Sequence, residues 1–236
     1  MNSAGPHTYV LIAGAWHGGW AWRDVIRGLR KFGHAVTAPT LTGLGERHHN
    51  GAADTDLSTH IQDVIAHIEM EGLQSVTLVG WSYGGMVITG VAARIPDRIK
   101  SLLYVDAFVP EDGMALVDYV PAVWRAQVEA LMGEGQLVPP IPLEMFGVTD
   151  PELVEFLTPR LVAQPPRTFL EPVRASPLRP GISAAYVYCS KNPWTFTQFY
   201  EKFRVDPRVR TAVIDTGHHC MLSEPLKTIE LLTDFA

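Results

Sequence analysis

Several features that would place this sequence in a specialised class are missing from it. It has no run of lysine or arginine and a formal charge of −6, so it lacks the basic patch typical of nucleic-acid binders. No stretch of about 18 apolar residues occurs, so we expect no membrane span. Residues 1–7 lack a basic start followed by an apolar stretch, which predicts that they are not a secretion signal.

Cysteine is scarce as well. The chain has only Cys189 and Cys220, which are too few and too isolated for a disulfide framework, and a cytoplasmic location is the expected default. The histidine pairs at 48–49 and 218–219 have no neighbouring cysteine or carboxylate at zinc-type spacing, so we expect no metal. The expected partner is a small-molecule substrate, and the expected state is a monomer or a homodimer.

The sequence does have a strong alternation of apolar segments. Its 236 residues fit one α/β domain, and with 47% hydrophobic and 19% charged residues it can bury a large core. Strand-like runs lie at 8–13, 35–38, 75–79, 99–105, 184–189 and 210–214, and helix-like segments at 20–31, 57–71, 83–95, 197–203 and 222–235. This alternation predicts a mostly parallel sheet of about six strands, flanked by helices.

The alternation is interrupted once, from about residue 110 to residue 180. This segment is rich in proline and in short helix-like pieces. We interpret it as a helical cap inserted into a single domain that spans residues 1–236. A linker between two domains is the less favoured alternative, because neither half would contain a complete sheet.

A motif for nucleophilic catalysis lies between a strand and a helix. Residues 80–84 read GWSYG, which matches G-x-S-x-G, and the motif joins the run 75–79 to the helix-like segment 83–95. In this context the turn is tight and exposes the serine hydroxyl at the carboxyl edge of the sheet. The start of the following helix also favours developing negative charge. The pattern predicts that Ser82 is a nucleophile.

Acyl transfer by a serine also needs donors for an oxyanion. One donor should be the backbone N–H of Tyr83, and the other should come from the loop after the first strand, where we choose Ala15. In the same loop, we expect His17 to be a buried histidine that braces the chain.

The base is expected in the loop before the last helix, where His218 and His219 compete. His218 follows Gly217 and lies four residues before Leu222, where the apolar face of the closing helix begins. We therefore choose His218 as the residue that exchanges a proton with Ser82. His219 is expected to line the pocket or to face solvent.

The acid is the unusual member of the predicted triad. The turn after the strand 184–189, where the acid usually lies, holds Asn192 and no carboxylate. Asp106 follows the strand 99–105, which should lie beside the strand of Ser82, so Asp106 can reach the far nitrogen of His218. Glu201 and Asp215 are the weaker alternatives, together with a site that has no acid at all.

Three segments carry a family resemblance: GAWHGGWAW at 14–22, GWSYGG at 80–85 and TGHHCMLSEP at 216–225. The chain resembles the plant methylesterase and hydroxynitrile lyase family, with its bacterial esterase relatives, over residues 8–109 and 184–236. The resemblance implies a cofactor-free enzyme of the α/β-hydrolase fold. It also implies the triad and oxyanion hole described above, and the spacing of the family's catalytic histidine before a leucine favours His218.

The sequence departs from that family at informative positions. Asn192 stands at the usual acid position of that family. Asp106 stands at a position that resembles the acid position of haloalkane dehalogenases and of cofactor-free quinolone dioxygenases. Members that cleave cyanohydrins carry a threonine and a lysine where this chain has Gly14 and His219, so nothing supplies positive charge for departing cyanide. Dehalogenases need an aspartate nucleophile, which Ser82 excludes.

The predicted pocket is aromatic and apolar. Its candidate substrate-binding walls are Trp16, Trp81, Phe108 and Trp124, with Tyr83, Met145 and Phe146 as further candidates. No arginine or lysine is placed to bind a carboxylate or phosphate. We therefore expect a serine esterase that cleaves small to medium uncharged esters through an acyl-enzyme. The alternatives are a carbamate or amide hydrolase, a hydroxynitrile lyase-like enzyme or cofactor-free oxygenase, and a non-catalytic small-molecule receptor.

Overall fold

A computed structural model describes residues 5–192 and 195–236 of the chain. Residues 1–4, which belong to the segment expected not to be a secretion signal, lie outside the described part, as do residues 193 and 194. No helix within the described ranges is long and apolar enough to cross a membrane.

Six strands form one sheet, and every neighbouring pair in it is parallel. The strands are β1 Thr8–Ile12, β2 Ala35–Thr37, β3 Val76–Trp81, β4 Ile99–Val105, β5 Ser183–Cys189 and β6 Val209–Ile214. Their order across the sheet is β2-β1-β3-β4-β5-β6. The predicted α/β-hydrolase fold is confirmed, and the carboxyl ends of β3, β4 and β5 lie side by side at one edge of the sheet.

Nine α-helices are found in the described part of the chain. They are α1 Arg23–Lys31, α2 Leu57–Met70, α3 Gly84–Arg94, α4 Ala122–Gly133, α5 Pro151–Leu157, α6 Arg167–Leu170, α7 Thr197–Phe203, α8 Cys220–Ser223 and α9 Pro225–Phe235. Helices α1 and α9 pack together on one face of the sheet, and α2 and α3 pack together on the other. The core therefore has two layers of apolar side chains, one on each side of the sheet.

Strand alternation decides which layer each side chain joins. In β3, Leu78 packs with the layer of α2 and α3, whereas Val79 and Trp81 pack with the layer of α1 and α9. The same alternation separates Val10 from Leu11 in β1. Because both faces of the central strands are covered, these strands are apolar at nearly every position.

The interrupted segment lies between β4 and β5 and contains α4, α5 and α6. Its chain returns on itself through one antiparallel bridge between Val138 and Gln164. Trp124, Phe146 and Phe169 from this segment face the residues at the carboxyl edge of the sheet. We refer to residues 110–180 as the cap.

Two of the predicted helices differ from the observed ones. The segment 20–31 begins as a 3-10 turn, Gly19–Trp22, and only then becomes α1. The closing segment 222–235 is divided, because Glu224 has non-helical backbone angles (φ −134°, ψ 57°) directly before Pro225. Proline disfavours a helical conformation in the residue before it and lacks the N–H that would continue the helix.

Candidate active site

Ser82 lies in the sharp turn between β3 and α3. Its φ is 56°, in the left-handed region that residues with a side chain rarely adopt. The flanking glycines make the turn possible. A Cβ atom on Gly80 would lie 2.6 Å from the carbonyl oxygen of Gly84, and one on Gly84 would lie 2.7 Å from that of Ile12. The sequence G-x-S-x-G thus forms the strained turn that the motif requires.

Backbone hydrogen bonds hold Ser82 in this conformation. Its N–H donates to the carbonyl of Val105 at the end of β4 (3.3 Å), and its own carbonyl accepts from Phe108 (3.1 Å) and Gly85 (3.1 Å). The serine is buried, but it lines a cavity under the cap. The strain is therefore maintained by β4 and the chain that follows it.

Asp106 and His218 meet at the same edge of the sheet. The Nδ1–H of His218 donates to Oδ2 of Asp106 over 2.7 Å, and both side chains are at least 98% buried. Oδ1 of the same carboxylate accepts from the backbone N–H of Cys189 at 3.2 Å. Asp106 also has a positive φ of 43°, and its N–H donates to Val187. The structure thus brings together the predicted acid and the predicted base.

Asn192 contacts the same carboxylate. Its Nδ2–H donates to Oδ2 of Asp106 over 3.1 Å, and Asn192 is itself buried. The weaker acid candidates lie elsewhere: Glu201 pairs with Arg204 at the surface, and Asp215 is exposed and pairs with Lys191 at 3.0 Å. Asn192 occupies the usual acid position and contacts Asp106, the predicted acid.

The imidazole of His218 is enclosed by aromatic rings. Phe146 of the cap and Phe196 stack nearly parallel to it, with ring centroids at 5.0 Å and 4.7 Å. The backbone of His218 is also held, because its N–H donates to the carbonyl of Phe146 (3.0 Å) and its carbonyl accepts from Nε1 of Trp81 (2.9 Å). Since Phe146 and Phe196 line the cavity with Ser82, His218 lies beside that cavity.

His219 points away from the site of Ser82. It lines a different cavity, together with Arg23 and residues of α5, and its Nε2 lies 3.1 Å from Nε2 of His17. Burial lowers the pKa of His219 well below the usual value, so the imidazole is neutral near pH 7. A neutral side chain here cannot supply the positive charge that cyanohydrin cleavage needs.

His17 is the buried brace that the sequence predicts. Its Nδ1–H donates to the carbonyl of Ala15 over 2.6 Å, and burial lowers its pKa to about 3. Since a neutral imidazole carries one proton, Nε2 of His17 accepts and Nε2–H of His219 donates. The remaining nitrogen, Nδ1 of His219, is then an unprotonated atom, and it is the one buried atom of this pair without a partner.

The two predicted oxyanion donors are backbone N–H groups of residues that line the cavity. Across residues 5–192 and 195–236, neither the N–H of Ala15 nor that of Tyr83 has a hydrogen-bond acceptor in the protein, and both residues line the cavity. The phenol of Tyr83 is fixed from behind, because its O–H donates to Nδ1 of His60 at 2.8 Å. His60 can accept there because its Nε2–H donates to the carbonyl of Thr42.

The cavity that contains Ser82 is small, at about 20 Å³, and mostly aromatic. Its lining residues are Ala15, Trp16, Ser82, Tyr83, Phe108, Leu116, Val120, Trp124, Ile141, Phe146, Phe169 and Phe196. Trp16, Phe108 and Trp124 therefore lie where the sequence predicts substrate contacts. Met145 does not line the cavity, and 49% of its surface is exposed.

Trp81 does not line the cavity, contrary to the prediction. Because alternate residues of a strand face opposite sides, its ring lies on the side of the sheet covered by α1 and α9. There it contacts the imidazoles of His17, His218 and His219, with ring centroids 4.8 to 4.9 Å away. Trp81 supports the site from behind.

Sequence reasoning missed one buried polar contact from the cap. Oε1 of Gln164 accepts from the backbone N–H of Trp16 at 2.9 Å, and Gln164 is completely buried. Gln164 precedes two prolines in a stretch without periodicity, so its sequence context gave no signal. No sequence pattern indicates that the cap pairs with the loop after β1.

Comparison with known proteins places the chain in a family. A sequence profile described as the alpha/beta hydrolase family matches residues 9–231. The chain is 40% identical over 239 residues to a carbendazim hydrolyzing esterase from Nocardioides sp. (strain SG-4G), which covers 95% of this chain and 97% of the relative. It is also 30% identical over 105 residues to methylesterase 2 of Arabidopsis thaliana, covering 44% of this chain and 40% of the relative.

Solved structures give the same fold. An extracellular alpha/beta-hydrolase of solved structure from a Paenibacillus species, described as homologous to tobacco salicylic acid binding protein 2, superposes with a TM-score of 0.83. The match covers 98% of this chain and 99% of that one, at 24% identity, and so bears on the fold alone. The predicted resemblance to esterases of the methylesterase group is confirmed, and the chain belongs to the alpha/beta hydrolase family as an ester hydrolase.

Proposed function

We propose that this protein hydrolyses small to medium uncharged carboxylic esters, with Ser82 as nucleophile, His218 as base and Asp106 as the acid that orients the base. One observation carries the proposal. A buried His218–Asp106 pair with a 2.7 Å hydrogen bond lies beside the cavity that the strained Ser82 lines. The partner in this reaction is a small molecule, and the protein acts as a monomer or a homodimer.

The proposed reaction proceeds in two halves. Ser82 Oγ attacks the ester carbonyl carbon while Nε2 of His218 takes its proton, and the carbonyl oxygen becomes an oxyanion held by the N–H groups of Ala15 and Tyr83. The C–O bond to the leaving group then breaks, and His218 returns the proton to the departing alcohol. Water, deprotonated by His218, attacks the acyl-serine, releases the carboxylic acid and restores Ser82.

The lining of the cavity supports an uncharged substrate. None of the lining residues is charged, so a carboxylate or phosphate on the substrate would lose its hydration without gaining a counter-ion. The aromatic rings of Trp16, Trp124 and Phe169 instead offer flat apolar surfaces. A compact ester with an aromatic or short aliphatic group fits this lining best.

Ser82-dependent hydrolysis of esters can be tested directly. The wild-type protein should hydrolyse p-nitrophenyl acetate, and Ser82→Ala should lower kcat/KM by at least about 10³-fold because the nucleophile is lost. Ser176→Ala is the matched control, since Ser176 is exposed and does not line the cavity, and it should leave the rate unchanged. A fluorophosphonate probe should label Ser82 alone, as read by peptide mass spectrometry. A wild-type protein that neither turns over activated esters nor reacts with the probe would refute the proposal.

A second candidate is the hydrolysis of carbamates on the same residues. The relative that is 40% identical is named for hydrolysis of carbendazim, which is a flat aromatic methyl carbamate. The aromatic side chains that line the cavity offer stacking surfaces to such a ring, and the same nucleophile can attack a carbamate carbonyl. The two candidates separate when kcat/KM is compared for a methyl ester and a methyl carbamate of the same aromatic group. A higher value for the carbamate would make carbamate hydrolysis the main activity.

A further inference from the structure

The imidazole of His218 lies flat against two phenyl rings that come from different parts of the fold. Phe146 belongs to the cap, whereas Phe196 lies outside the cap and directly precedes α7. The two phenyl planes are inclined to the imidazole by only 18° and 11°, with ring centroids at 5.0 Å and 4.7 Å. Offset parallel contact is one of the preferred arrangements of aromatic side chains. The side chain of the proposed base therefore has flat apolar surfaces against it.

The ring of Phe146 is kept close to His218 by backbone contacts between the cap and the loop that carries His218. The carbonyl of Phe146 accepts from the N–H of His218 over 3.0 Å. One residue further along in the cap, the carbonyl oxygen of Gly147 would lie 2.8 Å from a Cβ atom on Gly217, so the two chains approach each other too closely there for a side chain at 217. Phe146 thus contacts His218 through its backbone and through its ring.

The hydrogen bond to Asp106 leaves the tilt of the imidazole only partly fixed. Nδ1–H of His218 donates to Oδ2 of Asp106 over 2.7 Å, but a hydrogen bond tolerates about 30° of misalignment before it weakens steeply. A tilt of the ring moves Nε2, which is the atom that must reach Oγ of Ser82. Phenyl rings that lie parallel to the imidazole oppose this tilt, because it would drive an edge of the imidazole into one of them.

We propose that Phe146 and Phe196 are positioning residues for the base. By lying flat against the imidazole of His218 they limit its tilt, so that Nε2 stays directed at Ser82 and then at the oxygen of the leaving group. Their faces carry partial negative charge, which also favours the imidazolium that forms when His218 takes the proton of Ser82. This inference rests on the proposed function, and it gives the two residues a role besides lining the cavity.

The first test compares two acetate esters of similar size, p-nitrophenyl acetate and benzyl acetate. p-Nitrophenolate is a weak base that leaves without a proton, whereas the benzyl alkoxide is a strong base that must be protonated by Nε2–H of His218 as it leaves. Phe146→Leu should lower kcat/KM for benzyl acetate by about 10- to 100-fold, which is part of what general acid–base catalysis contributes. The loss for p-nitrophenyl acetate should be at least about threefold smaller.

Phe169→Leu is the matched control for a residue that acts only as a wall. Phe169 lines the same cavity, and its ring contacts within residues 5–192 and 195–236 are with Trp16, Tyr83 and Trp124. The same substitution at this position should change kcat/KM for the two esters by similar factors. If the loss on benzyl acetate relative to p-nitrophenyl acetate is no greater in Phe146→Leu than in Phe169→Leu, Phe146 is only a wall and the proposal is overturned.

A second measurement needs no substrate, and it remains decisive if Phe146→Leu does not fold. The Nδ1–H proton of His218 lies in a short hydrogen bond between buried side chains, so it should give a far-downfield ¹H NMR signal that is absent from His218→Ala. Phe196→Leu, which changes a ring outside the cap, should make this proton exchange faster with water, because the imidazole is then less enclosed. The signal's absence from the wild type would mean that the imidazole is not held. An exchange rate in Phe196→Leu equal to that of the wild type would mean that Phe196 does not hold it, and either result overturns the proposal.

The outcomes separate this inference from the proposed function on which it rests. If the wild-type protein is not labelled at Ser82 by the fluorophosphonate probe, the proposed function fails and this inference fails with it. If wild-type Ser82 is labelled while Phe146→Leu and Phe169→Leu show the same relative loss on the two esters, only the positioning role is refuted.

Discussion

Exchanging the residues at positions 106 and 192 is the sharpest test of the proposal that Asp106 is the acid. Asp106 follows β4 and Asn192 follows β5, yet Nδ2 of Asn192 and Nδ1 of His218 reach the same oxygen, Oδ2 of Asp106. The informative set of variants is Asp106→Asn, Asn192→Asp and the double exchange. The double variant keeps one carboxylate and one amide in contact but reverses their positions.

The loss expected for Asp106→Asn is large. An amide in place of the carboxylate removes the negative charge beside the imidazolium, and its N–H₂ group favours the wrong tautomer of His218. The corresponding change in serine hydrolases costs about 10⁴ in kcat, which equals about 5.5 kcal/mol of transition-state stabilisation. The complete burial of Asp106 means that water cannot substitute for the lost carboxylate.

The double exchange should restore much of this loss. In Asp106→Asn with Asn192→Asp, the new carboxylate approaches Nδ1 of His218 from β5, and the amide at 106 can donate to it. We expect kcat/KM to recover at least about 10-fold relative to Asp106→Asn alone. Asn192→Asp by itself places two carboxylates in contact, so one of them should keep a proton and its pKa should rise, which adds an ionisation to the pH profile.

The assay is kcat/KM for p-nitrophenyl acetate between pH 5 and pH 9, with thermal unfolding as a check on folding. Asp215→Asn is the matched control, because Asp215 is an exposed carboxylate that pairs with Lys191, and its loss should leave the rate unchanged. If Asp106→Asn keeps wild-type activity while Asn192→Ala abolishes it, the assignment of the acid is wrong. A double variant as inactive as Asp106→Asn would show that β5 cannot supply the acid.

Three further predictions concern stability and substrate range. Burial lowers the pKa of His17 to about 3 and that of His60 to about 4. As the pH falls below 6.5, these histidines therefore take up protons in the unfolded chain before they do so in the folded protein. The free energy of unfolding should then fall between pH 6.5 and pH 4 by about 1.4 kcal/mol per pH unit for each histidine. Urea unfolding should show a shallower fall in His60→Gln, and an equal fall would contradict this. Gly85→Ala should cost about 3 kcal/mol in the same assay, because its Cβ would lie 2.0 Å from a backbone oxygen, whereas Gly133→Ala, with open space around it, should not destabilise the protein. Trp124→Ala should widen the cavity and shift kcat/KM towards longer p-nitrophenyl esters, and an unchanged chain-length profile would exclude Trp124 as a wall.

Much of the architecture was predictable because it depends on short-range patterns. The strand at Ile99–Val105 and the helix at Thr197–Phe203 have the bounds that apolar spacing predicts. Placing Asp106 near His218 needed only one more rule, that the carboxyl ends of adjacent parallel strands share an edge, and the 2.7 Å contact agrees with it. The roles of these residues in catalysis stay predictions until the variants are measured.

The features that sequence reasoning missed depend on long-range contacts. Gln164 meets Trp16 across 148 positions of the chain, and no local pattern encodes that contact. The wrong placement of Trp81 has another cause, because the position of a residue next to the nucleophile does not say which face of the strand it occupies. Counting the alternation forward from Leu78 to Trp81 places the two side chains on opposite faces of the sheet, with Trp81 on the face covered by α1 and α9.

The position of Trp81 has a consequence for altering this enzyme by selection. Its indole contacts His17 of the proposed oxyanion loop and His218, the proposed base, while it packs in the layer beneath α1 and α9. Substitutions in that layer, far from any bound ester, can therefore reach both loops through one ring. Libraries intended to broaden the substrate range should vary the walls contributed by the cap and keep the layer around Trp81 constant. Libraries intended to alter the rate on a given ester should vary that layer instead.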